Sequence, residues 1–457
     1  MKKAFQWLTV LALLIVVSPL SVMAQGPDVA PADTVTYTSG FQLQNLTGSL
    51  ATIAIAFYNQ DGTTANTVND TIAANSGKTY YPLNAVSVGF NGSVVVSSDQ
   101  QLAAIANVLG NNGQRGASYG GFSAGASTVN LPLVMKTAYG IDTWFNVQNT
   151  GTAATTVNIA YKPGSCTESV SVAPGAAKTF KQADNACLPA GFVGAATITS
   201  VEPVVASVIQ VDAKSLLAYN GFTTASTQPV MPLVSSNFYK SGTGIQVQNT
   251  GATPTTVTIS YKPSAGFPGA ACTETKSIPA GQSVTFGFPQ LPATCGTAGS
   301  GVSDTVNGGF VGSAAVTTNS ANMPLVAIVN QVTRGAANAA AYEAVDPSTA
   351  TSKLSLPLIM DRVYNIFTGI SVANVGTQPT NVTCTFTGSS YTTSVSNLQP
   401  GAALTDVQLN KVSSGYVGGA TCTATGGDAK IAGVVNELTN GAPATTDALL
   451  VYDGFNY

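Results

Sequence analysis

The sequence predicts an all-β chain built as a tandem row of antiparallel β-sandwiches, and three observations carry that prediction. A phrase recurs: Phe145-Asn-Val-Gln-Asn-Thr-Gly151 returns as Ile245-Gln-Val-Gln-Asn-Thr-Gly251, with weaker copies at Phe41-Gln-Leu-Gln-Asn45 and Ile370-Ser-Val-Ala-Asn374. Each copy is followed by strict apolar/polar alternation, as in Val157-Asn-Ile-Ala-Tyr161, Val257-Thr-Ile-Ser-Tyr261, Ile53-Ala-Ile-Ala-Phe57 and Val382-Thr-Cys-Thr-Phe386, the pattern of a half-buried strand. Turn residues punctuate the chain roughly every 8 to 12 residues, and no stretch has helical periodicity. A fixed period says that one supersecondary unit was copied, each copy burying its own or its neighbour's apolar face.

The elements follow in order from the repeated Asn. Ahead of it lie Leu131-Pro-Leu-Val-Met, Met231-Pro-Leu-Val and Leu356-Pro-Leu-Ile-Met, and then Tyr139, Tyr239 and Tyr364, all at constant offsets. Behind it come Pro-Gly turns at Pro174-Gly175 and Pro400-Gly401, with Pro279-Ala-Gly281 between them. Strands then open at Phe192-Val-Gly, Phe310-Val-Gly, Tyr416-Val-Gly and Phe90-Asn-Gly, and each unit closes near Tyr119, Tyr219, Tyr342 or Tyr452. This spacing predicts units at 35–126, 127–226, 227–350 and 351–457, each of six to eight short strands. Short Thr/Ser/Pro connections such as Thr223–Pro229 predict an elongated, stiff array. A β-propeller is the weaker alternative, because blades are nearer 40 to 50 residues and hold four strands.

Residues 1–24 read as a secretory signal peptide: Lys2 and Lys3, an apolar run from Trp7 to Val17 too short to span a bilayer, and Val22-Met-Ala24 before Gln25. The segment 25–34 follows, and the sequence offers no membrane span for the mature chain. The expected location is therefore secreted, at the cell surface. The six cysteines agree, since Cys166 and Cys187, Cys272 and Cys295, and Cys384 and Cys422 fall two to a unit, which predicts one disulfide in each. Cys384 and Cys422 take inward positions held by Ile159 and Ile198 in the second unit, so their disulfide should lie in the core, while the other two staple loops.

Charged residues make up only 8% of the chain, and the basic ones are scattered, so nucleic acid is not an expected partner. There is no His. That removes Ser-His-Asp and Cys-His catalysis and most zinc sites, and no cofactor is expected. Asp99, Glu202, Asp212 and Asp428 are the carboxylates a glycosidase would need, yet they read as solvated loop residues, and adjacent Lys214 and Ser215 on a strand would face opposite ways. The chain is expected not to be an enzyme. Low charge weakens the usual barrier to self-association.

The phrases Val147-Gln-Asn-Thr-Gly and Val247-Gln-Asn-Thr-Gly, each followed by Val-x-Ile-x-Tyr, resemble the first core strands of tandem immunoglobulin-like β-sandwich proteins of the bacterial cell surface. The Leu-Pro-Leu-Val-Met and Tyr-Asn-Gly-Phe phrases are similar to those of secreted repeat proteins of Chloroflexi-type bacteria. The resemblance implies an extracellular filament subunit, surface-layer component or adhesin that associates with itself or with other surface proteins. A carbohydrate-binding array is the alternative, with Tyr139, Tyr239 and Tyr364 as sugar platforms, although a core-edge role is the plainer expectation for these tyrosines. A glycan hydrolase on a β scaffold is the second alternative. One irregularity stands out: the first unit has Pro27-Asp-Val-Ala-Pro-Ala-Asp33 where its siblings have the Leu-Pro-Leu strand. An open sheet edge there could be completed head to tail by Ala448–Tyr457 of a neighbouring chain, or Val35-Thr-Tyr37 simply begins a shorter first strand.

Overall fold

The computed structural model describes residues 35–296, 309–333, 336–363, 365–443 and 445–457. The expected signal peptide and the segment 25–34 lie outside these residues. Strands make up the regular structure, with one short 3-10 turn at Ala293–Cys295. Local alternation accounts for them: in the strand Thr155–Lys162, Val157, Ile159 and Tyr161 are at most 1% exposed, while the intervening Asn158 faces solvent.

The second repeat shows the plan. Its lead strand, Ala126–Lys136, pairs with the first half of the 20-residue strand Phe192–Val211, which also pairs with Thr155–Lys162, itself paired with Thr167–Val172. The second half of the long strand pairs with Asp142–Asn149 and with the closing strand Leu216–Asn220, and Ala177–Lys181 completes that layer. The register shifts between Thr199 and Val204, where the long strand passes from one antiparallel layer to the other. The third and fourth repeats use the same pairings with the long strand broken in two, Phe310–Thr318 and Leu325–Thr333, then Tyr416–Thr425 and Ile431–Thr439. In the first repeat, Thr64–Ile72, Ala51–Asn59 and Gly92–Ser98 form one layer, and Gly77–Tyr80, Tyr37–Asn45, Leu102–Gly110 and Arg115–Gly120 the other.

The repeated Asn is a brace. Asn149 is fully buried; its Nδ2 donates to the carbonyls of Ala153 (2.8 Å) and Val172 (3.0 Å), and its Oδ1 accepts from Gly151 N (2.9 Å). Asn45, Asn249 and Asn374 make the equivalent bonds. A buried side-chain amide here satisfies backbone groups of the exposed turn that follows it.

All six cysteines pair as expected, Cys166 with Cys187, Cys272 with Cys295 and Cys384 with Cys422. Cys384 and Cys422 are both fully buried and stand directly opposite on adjacent strands, as do Ile159 and Ile198, Ile259 and Val316, and Ile55 and Val96. This disulfide therefore ties neighbours within one layer and does not cross between layers.

The elongated array is not what forms. The four closing strands, Arg115–Gly120, Leu216–Asn220, Ala339–Glu343 and Leu449–Asp453, pack on one another in a cycle, the first against the second and the last against the first. The reason lies in their composition: Leu-Leu-Ala-Tyr, Ala-Ala-Ala-Tyr and Leu-Leu-Val-Tyr are apolar at both parities, and a strand apolar on both faces must be covered on both. Leu217 and Tyr219 enter their own repeat's core, while Leu216 and Ala218 join a core shared with Ile105 and Ala117 of the first repeat. Ala339 and Ala341 likewise enter the second repeat's core, and Leu449 and Val451 the third's. At the closing seam a 250 Å³ groove has Gln42, Gln44 and Gly77 on one wall and Pro357, Leu358 and Met360 on the other.

Candidate functional site

Two polar layers pin the hub. Asp447 accepts backbone N–H groups from Leu216 (3.0 Å) and Ala339 (3.1 Å), and those of Leu449 and Gly116 are also directed at its carboxyl, so one side chain touches all four closing strands. Burial pushes this carboxyl up to about 8, against the pull of those donors. At the other end, the residues after the four tyrosines meet: Asn220 Nδ2 donates to Gly120 O (2.8 Å), Asn220 N to Glu343, and Glu343 N to Asp453 Oδ2 (3.3 Å). Glu343 and Asp453 also bond through their side chains, and burial raises both, Asp453 further through the neighbouring Glu343 charge. Two carboxyl groups so placed favour protonation of the pair, because two charges side by side in a buried site repel.

The closing tyrosines hold the lead strands. Tyr219 OH donates to Leu133 O (2.5 Å), Tyr452 OH to Leu358 O (2.6 Å) and Tyr342 OH to Leu233 O, and each hydroxyl also accepts the N–H of the same leucine. Proline lacks an N–H and interrupts the ladder. The register shifts next to Pro132, Pro232 and Pro357, and the tyrosine hydroxyl supplies the partner the ladder gives up.

The first repeat has no counterpart to this strand among the described residues. Gly92–Ser98 pairs with Ala51–Asn59 on one side only. A trough of about 1560 Å³ runs along its other side, with Leu43, Val94, Val96, Leu102 and Ala104 on its floor and Gln148 and Val205 of the second repeat across from them. Val96, Leu102 and Ala104 are partly exposed, whereas their counterparts Ile198, Val204 and Ala206 are fully buried. Among the described residues this edge of Gly92–Ser98 is unpaired; Pro27–Asp33, on which the expected open edge rests, lies outside them. The expected donor is not free: Leu449–Asp453 pairs with Ile431–Thr439, and Phe455–Asn456 with the fourth lead strand, because their apolar side chains complete the fourth repeat.

Tyr139 and Tyr239 are 79% and 52% exposed, so the core-edge expectation fails for both. Each sits at the tip of the turn after its lead strand with a left-handed backbone (φ 55° and 48°), a conformation unfavourable for a bulky residue that turns the ring away from the sandwich. Tyr139 lies 5.9 Å from the ring of Phe288 in the third repeat, itself half exposed, while Tyr239 packs edge-on to Phe238. Tyr364 lies outside the described residues.

The carboxylates singled out in the sequence each hold a turn. Asp99 accepts from Thr52 N (2.7 Å), Glu202 from Thr152 N (3.0 Å) and Asp428 from Thr377 N (2.8 Å). Asp212 accepts from Ser215 Oγ (2.9 Å) and from the backbone of Lys214 and Ser215, so that serine faces a carboxylate. Sequence reading missed the buried acids Glu343, Asp453, Asp447 and Glu437; the available signal was an acidic residue inside or beside a strand apolar on both faces. Among the described residues no group of three or more potential metal-ligating side chains converges, and no helix is long and apolar enough to cross a membrane. Comparison with protein-family models and with curated proteins finds no match to the chain.

Proposed function

We propose that this chain is an exported, non-catalytic structural or adhesive protein, a filament subunit or surface-layer component made of four immunoglobulin-like β-sandwich units. The observation that carries this reading is the shared hub: the four repeats bury their closing strands against one another in one cycle. Such a body transmits load through many small contacts and behaves as one rigid block. Three disulfides fit an oxidising compartment, and a surface with few charges favours association with copies of itself or with other surface proteins. The buried acids and braced turns read as devices of stability, since each is bonded to backbone or to a neighbouring repeat. Electron microscopy of the secreted fraction of an expressing culture tests the reading. Ordered filaments or sheets are expected, and a reduced intracellular monomer would contradict it.

A carbohydrate-binding role is the second reading, favoured by the exposure of Tyr139 and Tyr239 beside further aromatic rings. Aromatic faces bind the apolar faces of sugars, and rings held out on turns offer such platforms. Glycan-array binding that is lost in Tyr139→Ala with Tyr239→Ala would support it, and an unaltered array profile would exclude it.

A further inference from the structure

We propose that the trough along Gly92–Ser98 receives an extended apolar strand from a different polypeptide, inserted antiparallel to that edge. The chemistry of the occupant is written three times in this chain. The corresponding position of the other repeats holds lead strands of 9 to 11 residues, Ala126–Lys136, Val230–Phe238 and Lys353–Val363. Each has a Pro-Leu pair at its middle and buries Leu, Met or Val on both sides of it. None carries a charge within its central apolar run. The trough asks for the same, because its floor is Leu43, Val94, Val96, Leu102 and Ala104.

The lead strand is also mortar between repeats. The second repeat's packs on Ser241–Asn249 of the third, and the third repeat's on the fourth, where Ser371 Oγ donates to Pro232 O (2.7 Å). The trough sits at the same seam, with the first repeat's edge on one side and Gln148 and Val205 of the second on the other. An inserted strand would therefore gain backbone bonds from one repeat and side-chain cover from the next, the two components of recognition by strand addition.

The composition of the chain favours a donor in trans. With residues 1–24, which hold Pro19-Leu20 in an apolar run, removed as the signal peptide of an exported chain in the reading above, residues 25–34 offer Val29 as their one large aliphatic side chain and bring two aspartates and two prolines. The apolar stretch of the floor, from Leu43 to Ala104, is poorly matched by that segment. The C-terminal strands, the other terminal candidates, are built into the fourth repeat.

The experiment uses the mature chain, residues 25–457, and a synthetic peptide with the sequence of residues 126–136 as the probe, followed by calorimetry and by the shift in melting temperature. Saturable one-to-one binding is expected, weakened at least tenfold when the peptide carries Leu131→Asp and Leu133→Asp, and weakened similarly when the chain carries Ala104→Trp, which fills the trough. The altered peptide keeps the test valid if the chain variant fails to fold. No binding, or binding indifferent to the peptide change, overturns the proposal. Binding seen only after deletion of residues 25–34 overturns it too, by assigning the trough to the chain's own segment, and strand exchange into dimers without peptide would assign it to a second copy. The proposal takes its biological sense from the structural reading above, but its readout is peptide binding alone, so either can fail without the other.

Discussion

The first repeat and the other three share a plan and differ in what closes it. The second, third and fourth each have a lead strand, a tyrosine hydroxyl bonded to that strand and a disulfide. The first has no cysteine, pairs Gly92–Ser98 on one side only among the described residues, and closes with Arg-Gly-Ala-Ser-Tyr-Gly where its siblings are richer in Leu and Ala. Small residues there let the hub close tightly: a Cβ on Gly116 would lie 2.8 Å from Leu450. The difference teaches that the repeats are not interchangeable. Three carry a lead strand of their own, and the first has none among the described residues.

The largest expected effect removes a staple from a repeat with its own lead strand. Cys384→Ala with Cys422→Ala opens a closed loop of 38 residues and should cost about 4 kcal/mol, more if the buried sulfurs leave a cavity. The denaturant midpoint of the whole molecule should fall, and an unchanged midpoint would remove the disulfides from the comparison. Next, Asp447→Ala leaves backbone donors of several repeats without an acceptor, at about 3 kcal/mol. The loss should be cooperative across the molecule, and a melt confined to one repeat would break the account of the hub.

A smaller effect is expected of Tyr452→Phe, which strips Leu358 O of its hydroxyl donor at a cost of about 1 to 2 kcal/mol. Hydrogen exchange should quicken along Lys353–Val363 and not along Gly92–Ser98. The pH dependence has a definite sign. Glu437 is buried and its carboxyl is pushed up to about 8, above its value in an unfolded chain. At acid pH it is protonated in both states; as pH rises from about 4 to about 8 the unfolded chain ionises first and stability declines. Glu437→Gln should flatten that decline, and a slope identical to the parent's would remove Glu437 from the explanation.

Much of this was legible in the residues. Alternation around Ile159 and Cys384 located the strands and their inward faces well enough to align cross-strand partners through four repeats. Cysteine spacing found the disulfides, and the broken pattern at Pro27–Asp33 exposed the odd repeat. The hub escapes a reading that places each unit's close only near its Tyr, because the demand lies in Leu-Leu-Ala-Tyr, where apolar residues at both parities require two covered faces. Tyr139 and Tyr239 were misplaced because a tyrosine near a strand end usually leans back onto the core, and only the left-handed turn sends these outward. The buried carboxyl groups Glu343, Asp453, Asp447 and Glu437 are announced locally only by an acidic residue inside or beside a strand apolar on both faces, and long-range packing decides that they are buried.

Ring closure is the claim on which the comparison rests, and small-angle X-ray scattering of residues 25–457 in dilute solution tests it most directly. Four repeats gathered about one hub should give a radius of gyration near the compact-domain value of about 22 Å. A value about twice that, with the scattering profile of a rod, would mean that the closing strands do not meet.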